Sequence, residues 1–462
     1  MAAETTTQVT EEYKNLYPLH AAVIQNDATA ASKAIQAVKG QKPSDVVRAG
    51  SAELMRRYNK RETQEEEDLD LFINHRDWRG NPALHLATHF RHHEMVKMLL
   101  KEGADPMMRN GGGFSAVQEA ICSGDMELAE LLSDAVAKSA SDEYQNRMPK
   151  ILEQLEKSPD FSCELKWEFK SWVPLLSRML PNDVYRMYKC GSSFRIDATL
   201  VGYSALRCQR GNISFHLAGM DTKEPGRFTL VDHEKKIYDI VDPNEDTKPK
   251  NVKDLLDRPK IHRVQFQTND VSFTPAKTFW GYERTERVAG FDTRVYDANH
   301  LDLMMLKRVR SKEVALPPPT LHPDYFKEAV KEGKGNGLPY STETVKNTVK
   351  SFNGTVHMTD SFPYEIKDIL PILEVIAPRA KHFARLKEFI ELKLPEGQFP
   401  VRMELPVITT ISAAVTFLNF QRERPNPDMF TIPSDYSSGK VHFNFDFTKK
   451  EEAEGEKAKQ HE

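Results

Sequence analysis

The chain has 462 residues, too many for one compact core, and its length points to two to four domains. A net charge of −4 with 29% charged residues excludes the basic excess of a nucleic-acid binder and the polyacid of a solvating tail. The 39% hydrophobic content suffices for ordinary globular cores.

The N-terminal stretch MAAETTTQVTEEYKN has neither a basic start nor an apolar run, so no secretory signal is expected. A helical-repeat pattern follows. Its clearest copy, DWRGNPALHLATHFRHHEMVKMLLKEGAD, runs from Asp77 to Asp105. A further copy from Asn110 to Leu132 lies 33 residues on, with Gln118 where His85 stood, and a first copy begins YPLHAAVIQND at Tyr17. A 33-residue period is the signature of ankyrin repeats. Gly80 suits a turn needing positive φ, and Gly103 suits a left-handed helix cap. Leu84 and Ala87 share one helical face, while Val96, Leu99 and Leu100 form the apolar stripe of the second helix. His85 is placed to tie one repeat to the next. Arg91 stands where a glycine is usual, which predicts local distortion without loss of the unit.

The histidines His85, His92 and His93 have no cysteine or carboxylate at ligand spacing, so a structural His85 with two exposed neighbours is the expectation, not a metal site. An ankyrin stack exposes its finger loop and concave helix face. Here those positions are Trp78, Arg79, Asn81, His89 and Phe90, the candidate partner-binding residues. Leu19 and Leu84 are 65 residues apart, and the non-repeat segment at 40–76 reads as an insertion. Its acidic run Glu65–Asp68 reads as a solvated charge run rather than a ubiquitin-interacting helix. A helix over Met126–Leu155 is expected to cap the stack.

Periodicity changes near Asp160. FSCELKWEFKSW puts Phe161, Cys163, Leu165, Trp167 and Phe169 on one face of a half-buried strand. A short helix around Pro174–Met179 should follow. Candidate strands then come at Ser193–Leu200, Ser204–Gln209, Asn212–Leu217, Arg227–Val231 and Lys236–Val241, with Gly211-Asn212, Gly219 and Gly226 as turns. An antiparallel meander is the expectation, with further strands at His262–Gln267, Val271–Phe273 and Ala289–Tyr296. Trp280 and Tyr282, in the loop TFWGYERTER, are expected in core or interdomain packing.

No chemistry-bearing motif emerges. GKGNG at 333–337 lacks a preceding strand and the Lys-Ser/Thr ending of a phosphate loop, and neither G-x-S-x-G nor HExxH occurs. Cys122, Cys163, Cys190 and Cys208 show no two-residue spacing and read as buried free thiols of a reducing compartment. No catalytic residue, cofactor or metal ligand is assigned, and a non-enzymatic protein is expected.

The segment 311–350, containing VALPPPTLHPDYF and EGKGNGLPYST, reads as a loop. Two helices should follow. Ile366, Ile369, Leu370 and Leu373 lie on the face of one, Phe383, Leu386, Phe389 and Ile390 on the other, with Pro371 and Pro378 breaking or kinking the run. Then QFPVRMELPVI alternates as a strand, with Val415–Phe420 as its partner. The most apolar run, Val407–Phe420, contains Thr and Ser throughout and falls short of the ~20 residues that span a bilayer. KKEEAEGEKAKQHE at 449–462 reads as a disordered charged tail, with no prenylation box or retention signal. The expected fold class is therefore α+β and multidomain. An N-terminal ankyrin-repeat α-solenoid of about three repeats spans 10–150, and a β-rich antiparallel domain with C-terminal helices and strands spans 155–425.

The order of degenerate ankyrin repeats, then WEFKSWVPLLSRMLPNDVYRMYKCGSSFRIDATLVGY, then FPVRMELPVITTISAAVTFLNF resembles the ankyrin repeat domain-containing protein 13 family. The resemblance covers Tyr17 to Phe420, and TERVAGFD at 285–292 and HFARLKEFIELKL at 382–394 also carry it. One branch of that family has C-terminal ubiquitin-interacting helices and acts on ubiquitinated receptors. The other lacks them and is described as a chaperone of G-protein-coupled receptors at the cytosolic face of the endoplasmic reticulum. This sequence reaches Glu462 with no Ala-Leu-x-x-Ser after an acidic run, so it is more similar to the second branch. The resemblance implies a non-enzymatic, membrane-peripheral partner of such receptors or of other multi-span membrane proteins, without a spanning segment of its own and without nucleic acid. It assigns no single functional residue. A ubiquitin-linked endocytic adaptor, a lipid- or small-ligand-binding domain and a general ankyrin scaffold are the competing expectations.

Overall fold

A computed structural model describes residues 9–38, 72–173, 176–204, 207–241, 260–267, 271–309, 321, 323–326, 344–376, 394, 397–408 and 410–441. The run Glu65–Asp68, the glycine-rich 333–337, the helix expected around Phe383–Ile390 and the tail at 449–462 lie outside the described residues, as does most of the insertion at 40–76. The chain forms two compact units, each discontinuous in sequence. One comprises 1–143, 244–263 and 306–347, the other 144–243, 264–305 and 348–462.

The first unit is helical. Thr10 caps α1 (Glu11–Leu16) by accepting the Tyr13 N–H at 3.4 Å, and α2 (Pro18–Ile24) starts on a proline whose missing N–H costs nothing there. The helices α3 (Ala28–Val38), α4 (Ala83–His89), α5 (His93–Lys101) and α6 (Ala116–Ser123) follow, and α7 (Met126–Lys157) begins here. Helix α2 packs on α3 and α4, and α4 packs on α5 and α6. A capping box at Ser115 and Gln118 starts α6, which accounts for the glutamine in the third copy. Gly103 (φ 101°) ends α5 in a Schellman turn: the Ala104 N–H reaches the Leu99 carbonyl at 2.9 Å.

The 33-residue period is physical as well as textual. The loop bridges Arg76↔Pro82 and Arg109↔Ser115 are offset by 33, as are Gly80 (φ 77°) and Gly113 (φ 80°). His85 Nε2 meets the Phe114 carbonyl at 2.9 Å, and His20 Nε2 meets the carbonyl of Asn81, one period before Phe114, at 3.1 Å. Both buried imidazoles therefore staple one helix pair to the loop of the next. Between the paired helices, Asn26 (φ 55°), Arg91 (φ 56°) and Gly124 (φ 69°) all adopt the left-handed conformation.

The second unit is built on a sheet dominated by antiparallel pairing. Its strands are β1 (Phe161–Ser171), β2 (Asn182–Cys190), β3 (Ser193–Ser204), β4 (Arg207–Leu217), β5 (Phe228–Asp232), β6 (Ile237–Ile240), β7 (Lys260–Gln267), β8 (Ser272–Pro275), β9 (Thr285–Val288), β10 (Phe291–Val309), β11 (Thr344–Thr359), β12 (Phe399–Ile408), β13 (Ile411–Gln421) and β14 (Ser437–Ser438). The order is β14-β6-β5-β4-β3-β2-β1-β13-β12-β11-β10-β7, with β8 and β9 also paired to β10. The first six strands are a meander, since each lies beside its neighbour in sequence. The short β14 pairs with β6 in parallel, whereas the pairs that join β1 to β6 are antiparallel. Phe161, Cys163, Leu165 and Trp167 on β1 enter the core, as their alternation requires, with Phe169 partly buried beside them. Fully burying each large side chain contributes roughly 1.5–3 kcal/mol.

Several sequence-based boundaries change. The segments expected as separate strands at Ser204–Gln209 and Asn212–Leu217 belong to β3 and β4, and Gly211 lies inside β4 instead of in a turn. A Cβ at Gly211 would lie 2.9 Å from Val201, so close cross-strand approach, not a turn, is what asks for glycine there. Ala289 (φ 54°) and Gly290 (φ 88°) form the β9–β10 turn, so that strand starts at Phe291. A short helix α8 (Leu176–Met179), a longer α9 (Ile366–Ile376) and the 3₁₀ turns Pro323–Phe326 and Pro427–Phe430 complete the described elements. Pro371 does not break α9, whose Ile369, Ile372 and Leu373 are buried.

Candidate functional site

The candidate partner-binding residues sit on and beside the loop that enters α4. Asp77 organises this loop: its Oδ1 accepts the N–H groups of Arg79 at 3.0 Å and Asn81 at 2.8 Å. Its Oδ2 accepts the Tyr13 hydroxyl at 2.8 Å and a short bond from the Tyr325 hydroxyl. Tyr325 lies in the 3₁₀ turn Pro323–Phe326, within the same compact unit. Burial pushes the Asp77 carboxyl up, against the hydrogen bonds from Tyr325, Asn81, Tyr13 and Arg79 that favour its charge. Burial, with the Asp77 charge beside them, also raises both phenols well above their ordinary range.

Three of the five residues converge on Tyr325. Trp78 donates its indole N–H to the Tyr325 carbonyl at 2.9 Å, Asn81 donates to the Tyr325 hydroxyl at 2.8 Å, and the Arg79 guanidinium lies 5.7 Å from the Tyr325 ring centroid. The other two do not join them. His89 and Phe90 are in edge contact with each other at 5.3 Å, and Phe90 stacks on His92 at 5.5 Å. The expected exposure fails for Asn81, which is 0% exposed, and for His89, at 8%. Trp78, Arg79 and Phe90 are half-buried. The chain's own Tyr325 covers this surface, a contact across 244 residues of sequence from Asn81 that no local pattern announces.

The neighbouring histidines are also more engaged than expected. His92 Nδ1 meets the Val23 carbonyl at 2.9 Å, and His93 lies between Asp125 (2.9 Å) and Glu127 (3.2 Å). Both are half-buried rather than exposed. The cysteines are free thiols, with Cys122, Cys163 and Cys190 buried and Cys208 half-buried.

A polar cleft of about 650 Å³ lies on the sheet face opposite the core. The outward positions of β1 (Lys166, Glu168), β11 (His357) and β12 (Arg402, Glu404) line it, with Arg284 and Glu286 at β9. Its charges pair locally: Lys166–Glu168 at 3.0 Å, Arg402–Glu404 at 3.1 Å, and Arg284 Nε to Glu286 at 2.8 Å. Burial works to raise the Glu404 carboxyl, but hydrogen bonds from Arg402 and Ser412 and the nearby Lys170 leave it below its ordinary value. His357 Nδ1 lies 3.7 Å from Glu286, and burial lowers its pKa. Such a cleft offers paired charges to a polar segment.

A second polar cluster gathers Ser214, His216 and His233. The Ser214 hydroxyl lies 2.7 Å from His216 Nε2 and 2.8 Å from His233 Nε2. Ser214 is 0% exposed, and the imidazoles face inward to the 427–436 segment through the Phe430 carbonyl and the Tyr436 hydroxyl. The hydroxyl is thus a buried tie, not a group presented to a substrate.

Trp280 and Tyr282 overturn the packing expectation. They are 80% and 75% exposed, beside Phe279 at 95%. An aromatic in a loop between strands reads alike in sequence whether it faces inward or out.

The family model described as ANKRD13 C-terminal matches residues 195–338 and 322–461, and the ankyrin repeat model matches 79–111. The chain is 34% identical over 405 residues to ankyrin repeat domain-containing protein 13C of Danio rerio, covering 80% of this chain and 82% of that protein. The Homo sapiens 13C protein is 33% identical, with 80% of this chain and 74% of the relative covered. Protein 13B of Mus musculus is 29% identical over 423 residues, with 78% and 66% covered. Among solved structures, LprF from Mycobacterium bovis aligns with 62% of this chain and 98% of its own at a TM-score of 0.23 and 10% identity, a likeness too slight to relate the folds.

Proposed function

Because the chain belongs to the ankyrin repeat domain-containing protein 13 family, we propose that it is a non-enzymatic chaperone or adaptor for G-protein-coupled receptors or other multi-span membrane proteins. It acts at the cytosolic face of the endoplasmic reticulum and regulates the biogenesis and exit of these clients. The carrying observation is the higher identity to 13C relatives, 34% against 29% for 13B, across 80% of the chain. That is the branch for which the resemblance implies receptor chaperoning.

Two structural observations support the reading. The three helix pairs with 33-residue loop periodicity suit a short ankyrin solenoid, a scaffold that presents side chains to protein partners. Of its candidate contact residues, Trp78, Arg79 and Phe90 keep partial exposure, the first two against Tyr325, while Asn81 and His89 are buried. The perturbed titratable groups also have structural tasks: His20 and His85 staple loops, Asp77 is held by two tyrosines, and Ser214 ties two histidines. No helix among the described residues is long and apolar enough to cross a membrane.

A pulse-chase of a newly made, N-glycosylated multi-span receptor tests this, with the protein depleted and then restored. The conversion from immature to mature glycans should change rate on depletion and recover on restoration. An unchanged rate, or direct capture of ubiquitin chains by the purified chain, moves the function to the endocytic adaptor. Saturable ATP turnover by the purified chain would refute the non-enzymatic reading.

A further inference from the structure

The segment 276–284 forms a small hairpin projecting from the sheet between β8 and β9, both of which pair with β10. Its root is fixed: Ala276 is buried, donates to the Val295 carbonyl at 2.8 Å and accepts from the Arg284 N–H at 2.8 Å. Its turn closes on itself through Thr278 N–H to the Tyr282 carbonyl (2.8 Å) and Gly281 N–H to the Thr278 carbonyl (2.9 Å). Gly281 supplies the positive φ of 84°. What the tip presents outward is therefore side chain: Phe279, Trp280 and Tyr282, at 95%, 80% and 75% exposure. Desolvating such rings is favourable, and a soluble surface gains nothing from exposing three together on a braced turn.

We infer that the Phe279–Trp280–Tyr282 tip inserts into the interfacial layer of a lipid bilayer and docks the chain there. The chemistry favours lipid over a protein groove on three counts. Trp and Tyr combine an apolar ring with a polar atom, the combination enriched at membrane–water interfaces. Two backbone hydrogen bonds, Thr278 to Tyr282 and Gly281 to Thr278, close within the turn, so fewer tip groups lose water on entry into a less polar layer. With Arg284 paired to Glu286, exposed Lys277 and Arg287 against Glu283 leave one net positive charge around the tip, which complements anionic headgroups. The inference deepens the proposed role at a membrane surface and rests on that reading only for which membrane is met.

The test is flotation of the full chain with phosphatidylcholine vesicles, with and without phosphatidylserine. The native chain should float, more so with phosphatidylserine. A variant combining Phe279→Ser, Trp280→Ser and Tyr282→Ser should lose at least about tenfold of the bound fraction at an unchanged melting temperature, because all three side chains are exposed. Vesicles should blue-shift the native tryptophan emission, and Trp280→Phe should abolish that shift while Trp78, Trp167 and Trp172 remain. Absence of flotation, equal flotation of the triple variant, or tip-dependent capture of an apolar peptide without any vesicle binding would each overturn the inference. If vesicles are not bound yet depletion still alters receptor maturation, only the docking inference falls. Tip-dependent vesicle binding with unaltered maturation would leave the docking and remove the receptor role.

Discussion

Arg91 adopts φ 56° at the position where Asn26 and Gly124 stand in the other helix pairs. Only glycine, and to a lesser degree asparagine, takes that conformation at little cost, and other L-residues lose roughly 1–2 kcal/mol. Arg91 recovers part of this by donating to the Ser123 carbonyl at 2.7 Å, but that bond is exposed. Arg91→Gly should therefore leave thermal stability unchanged or raise it by up to about 1 kcal/mol, whereas the β-branched Arg91→Val should lower it by about 1–2 kcal/mol. Differential scanning calorimetry of the two variants decides it, and a destabilised Arg91→Gly would show that the guanidinium contact outweighs the backbone. Tyr325 poses the complementary case. Its hydroxyl donates to buried Asp77 and accepts from buried Asn81, so Tyr325→Phe leaves two buried groups short of a partner. A loss of roughly 1–3 kcal/mol is expected in urea titrations, and a loss near zero would mean that water fills the gap.

Among the elements, Gly354 in β11 marks a tight crossing of strands. A Cβ there would lie 2.9 Å from the Glu404 carbonyl oxygen on β12 and 3.0 Å from the Leu301 and Leu405 side chains. Backbone cannot move aside as a flexible side chain does. Gly354→Ala should therefore destabilise the sheet unit by about 1–3 kcal/mol, read as an earlier unfolding transition. The same strands show what sequence can reveal. β1 was legible because its buried positions are apolar from Phe161 to Trp167. β2 was not, because its buried positions Asp183, Tyr185, Met187 and Lys189 include two charges. Those charges are accommodated by partners from elsewhere: Asp183 accepts from the Thr199 and Leu200 N–H groups, and Lys189 donates to the Ser158 carbonyl and to Asp160. In β11, Val356, His357, Met358 and Thr359 are buried consecutively, which erases the two-residue period. The candidate site was legible in its loop, through the 33-residue repeat, but not in its cover, since Tyr325 arrives from a distant segment.

Across the whole molecule, both compact units are discontinuous in sequence, so acid should act on folds held together by distant contacts. Burial is the first cause that lowers His20, His75 and His85 to about 4, and it lowers His216 to about 3. The unfolded chain takes up protons near the ordinary histidine value of about 6.5, where the folded chain does not. Stability is then fully present above that value and declines as pH falls from about 6.5 toward 4, since the unfolded state binds more protons throughout this window. By pH 5 the loss is on the order of 2 kcal/mol for each such histidine. Asp77 works in the opposite sense, because its raised folded value lets the native carboxyl accept a proton before the unfolded one does. One carboxyl against buried His20 and His85 and half-buried His75 in the helical unit leaves acid destabilising there. In the sheet unit His216, joined to His233 through Ser214, has the same sign. Urea midpoints at pH 7 and pH 5 should fall for both units, and His85→Gln should flatten the dependence in the helical unit if the amide keeps the bond to the Phe114 carbonyl. A midpoint independent of pH across this window would show that the imidazoles are charged in the native fold, and that the staples between helix pairs are ion–dipole contacts instead of neutral hydrogen bonds.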